Sequence, residues 1–421
     1  MDRTPPPRLL LLCAALLCAP CAVPSAASPR ADAEAPADWR LPLDSGPELD
    51  AWLRDQAGRP TPFDALPAGA RERFLLSLHW GSRGLGSFDP DILADELPQP
   101  QIDAILRLFG DAVARHAPRS RAPQARSAGM PPATDGISPL ERRYNDFYRS
   151  MHERHDASHA AFAARVGERF DALLADAYAA QALRNIDDRH LAMLWNAADQ
   201  VALLTLQSRH VEALEAVFAE SRQRSPDPPS DSHLRTLRNV LLASQRFADA
   251  RRLTDRHPAA LSPLPEFIAP RPAGSAPAHA VWRMSADGSR LTAEPLDLSG
   301  TRILVTAGCH FSVDAAADIA DDPLLGPAFA EHAAWLMLPP GEEDIDAVRQ
   351  WNRRFPRAPA LMVADRDAWP MPGDWPMPQF HLLRDGRILE TVTGWPGGAA
   401  SQRGALVAML RRAGLLDAAS P

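Results

Sequence analysis

Two proline-rich stretches, residues 117–139 and 258–278, divide this chain and limit what it can fold into. The first runs Pro118-Arg119-Ser120-Arg121-Ala122-Pro123 and onward, with too little apolar surface to offset the entropy of ordering it, and reads as a disordered linker. The second joins two regions with different hydrophobic patterns. Before it, apolar residues recur at helical spacing; after it, short β-branched runs alternate with helical ones. With 421 residues the chain exceeds one ordinary core. The expected organisation is a small helical domain over 39–116, helical hairpins over 140–257 and an α/β domain over 279–416. The class is thus α followed by α/β, with an all-helical N-terminal region.

The first 27 residues read as a signal peptide. Arg3 and Arg8 flank the short apolar run Leu9 to Ala19, and Ser25-Ala26-Ala27 offers small residues for cleavage. The run is too short for a stable membrane anchor. Residues 28–38 would then be a tether, and the mature chain would be periplasmic with no membrane span. Cys13, Cys18 and Cys21 would leave with the signal, so Cys309 would stand alone with no internal disulfide available. A net charge of −8 excludes a general nucleic-acid binder, which needs a basic face. All 45 basic residues are arginine. The absence of lysine rules out Schiff-base chemistry and a phosphate-loop lysine.

Within 39–116, Pro67 to Trp80 reads as a helix with Phe74, Leu75 and Leu78 inward, Asp89-Pro90 opens another, and Pro98 to Phe109 makes a third. The run Gly81-Ser82-Arg83-Gly84-Leu85-Gly86 follows a helix rather than a strand, which points to a loop and cap rather than a phosphate loop. In 140–257 two hairpins place Ala213 and Ala250 37 positions apart, with Pro226 and Pro258 ending the second helices. These hairpins resemble tetratricopeptide repeats. His152, His155 and His159 share a helical face, but Glu153, Arg154 and Asp156 mark it as solvated. Neither a metal nor a cofactor is expected.

The α/β region opens with strands His279–Met284 and Ser289–Ala293, joined by the turn signal Asp287-Gly288. Arg302 to Thr306 reads as a buried strand that ends at Ala307-Gly308, and Cys309-His310-Phe311-Ser312 opens a helix. A sulfur there faces unpaired backbone N–H groups and the positive end of the helix dipole, both of which favour the nucleophilic thiolate. Helix Asp322–His332, strand Ala333–Leu338, helix Glu343–Phe355 and strand Ala360–Ala364 follow. Strands Gln379–Leu383 and Arg387–Val392 flank the turn Asp385-Gly386, and helix Ser401–Ala413 closes the domain.

This order of elements, with Cys309 at a strand-to-helix junction, resembles the thioredoxin superfamily, and the leading hairpin is most similar to its exported TlpA-like branch. Met377-Pro378 sits where that family has its cis-proline, and Gly386 and Gly394 lie eight and sixteen positions after Pro378, at the family's spacing. The resemblance implies that Cys309 is the attacking thiol and that Ser312, in place of a second cysteine, donates a hydrogen bond to it. It implies that the Met377 backbone pairs with an extended substrate beside Pro378, and that His310 stabilises the thiolate when protonated. Gly308 replaces a common tryptophan, and Ile303 stands where the family carries a buried acid. The implied function is monothiol thiol–disulfide exchange on protein or small-molecule thiols, through a mixed disulfide released by an external reductant. The helical region would recruit or shield a partner. Two other readings stand beside this one. The first is a non-catalytic protein-binding scaffold that uses the groove at Pro378. The second is a peroxiredoxin-like peroxidase, suggested by the Thr306-to-Cys309 spacing, although Arg302 and His310 occupy that family's proline positions.

Overall fold

The computed structural model describes residues 41–81, 84–121, 137–153, 158–225, 229–269, 279–371, 375–395 and 400–417. The expected export signal and tether, His155, Pro226, most of the first linker and residues 270–278 of the second lie outside them. Among the described residues, 41–67 with 78–121 form one compact unit, and 68–77 with 137–417 form another.

The first unit holds α1 (Gly46–Asp55), and α2 (Ala68–Leu76) follows in the chain but belongs to the second unit. The chain then returns through β1 (His79–Gly81), β2 (Gly84–Ser87), α3 (Pro90–Glu96), α4 (Gln99–Arg107) and α5 (Asp111–Ala114). Ser45 caps α1 by accepting from the Glu48 N–H, and Asp89 caps α3 through the Asp91 N–H at 3.0 Å. Trp52 and Phe63 meet edge-on at 6.0 Å, and Phe109 contacts both Phe63 and Trp80. The helix expected through Trp80 stops at Leu76, where the Ser77 hydroxyl folds back on the Phe74 carbonyl at 2.8 Å. His79–Gly81 and Gly84–Ser87 pair as antiparallel strands instead of a helix end and loop, so the region is not all-helical. Trp80 gains ring contact with Phe109 at 5.9 Å and lies over Gly46, where a Cβ would be 3.2 Å from its Nε1. That packing outweighs the local helical preference.

In the second unit seven helices follow: α6 (Pro139–His152), α7 (His159–Leu174), α8 (Ala180–Asn185), α9 (Asp188–Thr205), α10 (Ser208–Arg224), α11 (Asp231–Ala243) and α12 (Phe247–Arg256). Helices α9 with α10 and α11 with α12 pack as the two expected hairpins. The first turn is pinned by His210, fully buried, whose ring bonds the Thr205 hydroxyl at 2.6 Å and Asp171 on α7 at 3.1 Å. The second is pinned by Arg246, which donates to both Glu215 carboxylate oxygens at 2.8 and 2.9 Å.

A buried ionic cluster joins α2, α6 and α9. Arg73 donates to Glu141 at 3.1 Å and Asn145 at 2.7 Å, and Arg189 grips both Glu141 oxygens at 3.0 and 2.7 Å. Burial pushes the Glu141 carboxyl up, but the hydrogen bonds and charges of Arg189 and then Arg73 outweigh it and hold it below its ordinary value.

The rest of the unit is α/β: β3 (Glu266–Ile268), β4 (Ala280–Met284), β5 (Arg290–Pro295), β6 (Thr301–Thr306), α13 (His310–Asp321), α14 (Leu325–His332), β7 (Ala333–Met337), α15 (Ile345–Arg354), β8 (Ala360–Val363), β9 (Gln379–Arg384), β10 (Arg387–Thr393) and α16 (Ala400–Arg412). The strands form one mixed sheet in the order β10-β9-β6-β7-β8-β4-β5-β3, with β6, β7 and β8 parallel to one another. Leu304, Leu336, Leu361 and Leu383 form a core cluster with Trp369, Met371 and Trp375. Phe329, Trp335 and Phe380 form a second aromatic group. Strand β3 corrects the reading of 258–278 as linker alone. It pairs in parallel with β5, because Phe267 stacks on Phe247 at 4.1 Å and meets Trp282 at 5.5 Å. Among the described residues no helix is long and apolar enough to cross a membrane.

One buried group makes the sheet acid-sensitive. His381, 1% exposed in β9, reaches only the Thr391 hydroxyl at 2.9 Å. Burial pushes its pKa from 6.5 down to about 4. The unfolded chain therefore binds this proton below pH 6.5 while the folded one refuses it until about pH 4. The stabilisation is complete above that window and lost on descending through it, on the order of 3 kcal/mol at the bottom. Urea unfolding at pH 7 and pH 4.5 should show a steep loss in the wild type and a shallower one in His381→Gln. Equal slopes would refute the assignment.

Candidate functional site

The thiol sits where β6 gives way to α13. Ala307 still pairs with β7, its N–H donating to the Leu336 carbonyl at 2.8 Å, and the chain then turns at Gly308 with φ +147°. A side chain is disfavoured at that angle, and a Cβ there would also lie 2.8 Å from Glu343 Oε2. Cys309 takes the N-cap position of α13 in extended conformation, partly exposed, and its sulfur caps no helix amide. The sulfur lies 3.3 Å from the Ser312 hydroxyl, and as a thiol it donates to the Met377 carbonyl at 3.5 Å. Ser312 is fully buried.

The opposite wall is fixed from β6. The buried Thr306 hydroxyl donates to the Pro376 carbonyl at 2.6 Å and accepts from the Gln379 N–H at 3.0 Å. It thereby clamps Met377 and Pro378 beside the sulfur. The Met377–Pro378 bond is cis, and the Gly394 N–H donates to the Pro378 carbonyl at 2.8 Å, which gives the glycine spacing its physical meaning. Asp318 on α13 accepts from the Trp395 indole at 2.8 Å, tying the helix to the same bend.

Of the expected site residues, Cys309, Ser312, Met377 and Pro378 converge. His310 does not join them directly. Its exposed ring lies against Phe311, tilted by 40° with centroids 3.8 Å apart, and among the described residues no hydrogen bond links it to the sulfur. Phe311, 42% exposed, leaves an aromatic surface next to the thiol.

Two residues escaped the sequence reading. Thr306 was read as strand and for its peroxiredoxin-like spacing, not as the clamp on Pro376 and Gln379. Glu343 was placed inside a helix, but α15 starts at Ile345 because Asp344 caps it, accepting from the Asp346 N–H at 2.9 Å. Freed from the helix, the Glu343 carboxyl turns toward Gly308. Burial raises its pKa to about 7; the hydrogen bond from the Asp344 N–H offsets this in part, and the Asp344 charge adds to it. The run Gly341-Glu342-Glu343-Asp344 held a usable signal, since a capping aspartate followed by an apolar residue places the preceding acid outside the helix.

Among the described residues no group of three or more histidine, cysteine or acidic side chains is placed to hold a metal ion. His152 bonds the Tyr148 carbonyl at 2.9 Å, and His159 lies near Arg366 and Asp367. Cys309 is the one free cysteine among the described residues. The site is thus a partly exposed thiol beside a buried hydroxyl and a backbone carbonyl, with an acid against the preceding glycine. Such a set can carry out nucleophilic exchange at sulfur without an internal partner. No family model, curated protein or solved structure matches the chain.

Proposed function

We propose that this is an exported, thioredoxin-like protein that exchanges thiols and disulfides through a single cysteine. One observation carries the reading: the Cys309 sulfur, at the end of a central strand, lies within reach of both Ser312 Oγ and the carbonyl of Met377 beside Pro378. The element order around it supports the thioredoxin comparison, and residues 1–27 support export to the periplasm. The thiolate attacks a disulfide sulfur of a protein or small molecule, a mixed disulfide forms at Cys309, and an external thiol releases it. Ser312 steadies the sulfur by a hydrogen bond, and the exposed Phe311 offers apolar contact to the residue flanking a substrate cysteine. Exchange is favoured over peroxide reduction because the Thr306 hydroxyl is taken up on both sides by Pro376 and Gln379. The helical hairpins would serve partner recruitment.

Incubating the folded mature chain, from Ser28 onward, with glutathione disulfide tests this. The expected product is a single adduct at Cys309, absent in Cys309→Ser, that persists until dithiothreitol is added. A thiol modified only after urea unfolding would leave the scaffold reading as the better one.

A further inference from the structure

The Glu343 carboxyl has no part in the exchange outlined above, yet it lies against the turn that carries the thiol. The loop after β7 brings Oε2 to 2.8 Å from where a Gly308 Cβ would be, and Met377 Sδ, from the segment before β9, lies 3.1 Å from the same point. Carboxyl and Met377 therefore both lie against the residue immediately before Cys309, and the Met377 carbonyl accepts from the sulfur at 3.5 Å. Two anchors hold the loop in place. Gly341 backs onto α11 so closely that a Cβ would lie 2.1 Å from the Asn239 carbonyl oxygen and 2.6 Å from the Ala243 nitrogen. Next to it Glu342 pairs with Arg366 at 3.1 Å. Glu343 itself has no cationic partner among the described residues. The Asp344 N–H reaches its Oε1 at 3.3 Å, and Oε2 remains toward Gly308.

We propose that Glu343 is the proton-transfer group of the thiol site: it takes the proton of Cys309 and hands it to the sulfur that departs from a substrate disulfide. The inference rests on the exchange reading above. In the step, a bond forms between Cys309 Sγ and one substrate sulfur while the substrate S–S bond breaks. The bonding pair goes to the second sulfur, and the proton follows through Glu343. A thiol and a disulfide become a mixed disulfide and a thiol, with no net proton or electron released. Held near neutrality by burial, the carboxyl populates both of its forms where the reaction runs. The family-typical acid on the strand is absent, since Ile303 stands there; this carboxyl reaches the turn from a different element.

The test compares two neutral disulfides on the mature chain, from Ser28 onward, in wild type and Glu343→Gln. From 2-hydroxyethyl disulfide a basic alkyl thiolate departs and needs the proton at sulfur; from 4,4′-dithiodipyridine a weakly basic pyridinethiolate departs unaided and then takes its proton at the ring nitrogen from water. The second probe reads deprotonation and attack alone. Glu343→Gln should slow both reactions, the first at least about tenfold more than the second. Equal slowing of both, or of neither, overturns the assignment. A wild-type thiol inert to both probes overturns the exchange reading and this inference with it. Should Glu343→Gln fail to fold, Glu343→Asp carries the same comparison, and the ratio of the two rates remains the deciding quantity.

Discussion

Mixed disulfides at Cys309 are expected to decay at least about a hundredfold faster in a Ser312→Cys variant than in the wild type, with external thiol held near ~1 mM. The argument is geometric. Ser312 Oγ lies 3.3 Å from the Cys309 sulfur on the same face of α13, fully buried. A sulfur at that place needs only a small approach to reach the disulfide length of about 2 Å. An internal thiol acting at an effective concentration of even ~0.1 M, far below well-oriented values, outruns millimolar external thiol by two orders of magnitude. The wild type has no second cysteine among its described residues, so its adducts wait for an outside nucleophile. Trapped glutathione adducts followed by mass against time check this. Equal lifetimes in the two proteins would mean that position 312 does not face the adduct, and the proposed exchange geometry would fall.

Glu141→Ala should cost the second unit about 3–5 kcal/mol, because it strands Arg73 in the interior. The side chains of Arg73 and Glu141 are 5% and 6% exposed, so neither can turn to water when its partner is lost. Arg73 would keep the Asn145 oxygen at 2.7 Å and the Tyr144 ring at 5.1 Å but no opposite charge from Glu141. Arg189, 27% exposed, can recover hydration, so Arg189→Ala should cost less. Replacing Arg73 and Glu141 together by methionine should restore most of the loss, since the paired charges also carry a desolvation cost. Urea unfolding followed by tryptophan fluorescence measures all four proteins. A Glu141→Ala loss under about 1 kcal/mol would show that the cluster is hydrated after all. The contribution has a definite pH sense: the carboxyl is lowered from 4.5 in the folded state, so its stabilisation is present above that value and fades as acid is added.

The α/β part of the chain was legible almost residue by residue. Strand β6 was read as 302–306 and spans Thr301–Thr306; α16 was read as 401–413 and spans Ala400–Arg412. Period-two and helical patterns are strong there, and turn glycines such as Gly288 and Gly386 mark positive φ directly. What was lost depends on contacts distant in sequence. Nothing local in Ser77-Leu78-His79-Trp80 announces a strand; Trp80 leaves the helical path because Phe109 and Gly46 await it. Phe267 looked like one aromatic in a proline-rich linker until Phe247 and Trp282 gave it a seat. The site divides in the same way. Cys309 and Ser312 are neighbours on one helix turn, and Met377 with Pro378 carry their own spacing marks. Glu343 comes from another loop, aimed by a helix about a hundred residues upstream, and no local pattern encodes that aim.

The seat of Gly341 on α11 has a consequence for inheritance. With the backbone so near Asn239 and Ala243, neither surface tolerates an added atom without moving the other. A segment starting at β4 would carry the thiol, the hydroxyl, the proline and the acid, but not the helix that aims the acid. The α/β portion is therefore not a cassette that recombination could lift intact into another chain. Any lineage that alters the surface of α11 around residues 239–243 must alter the 339–343 loop in step, so the two halves drift as one character.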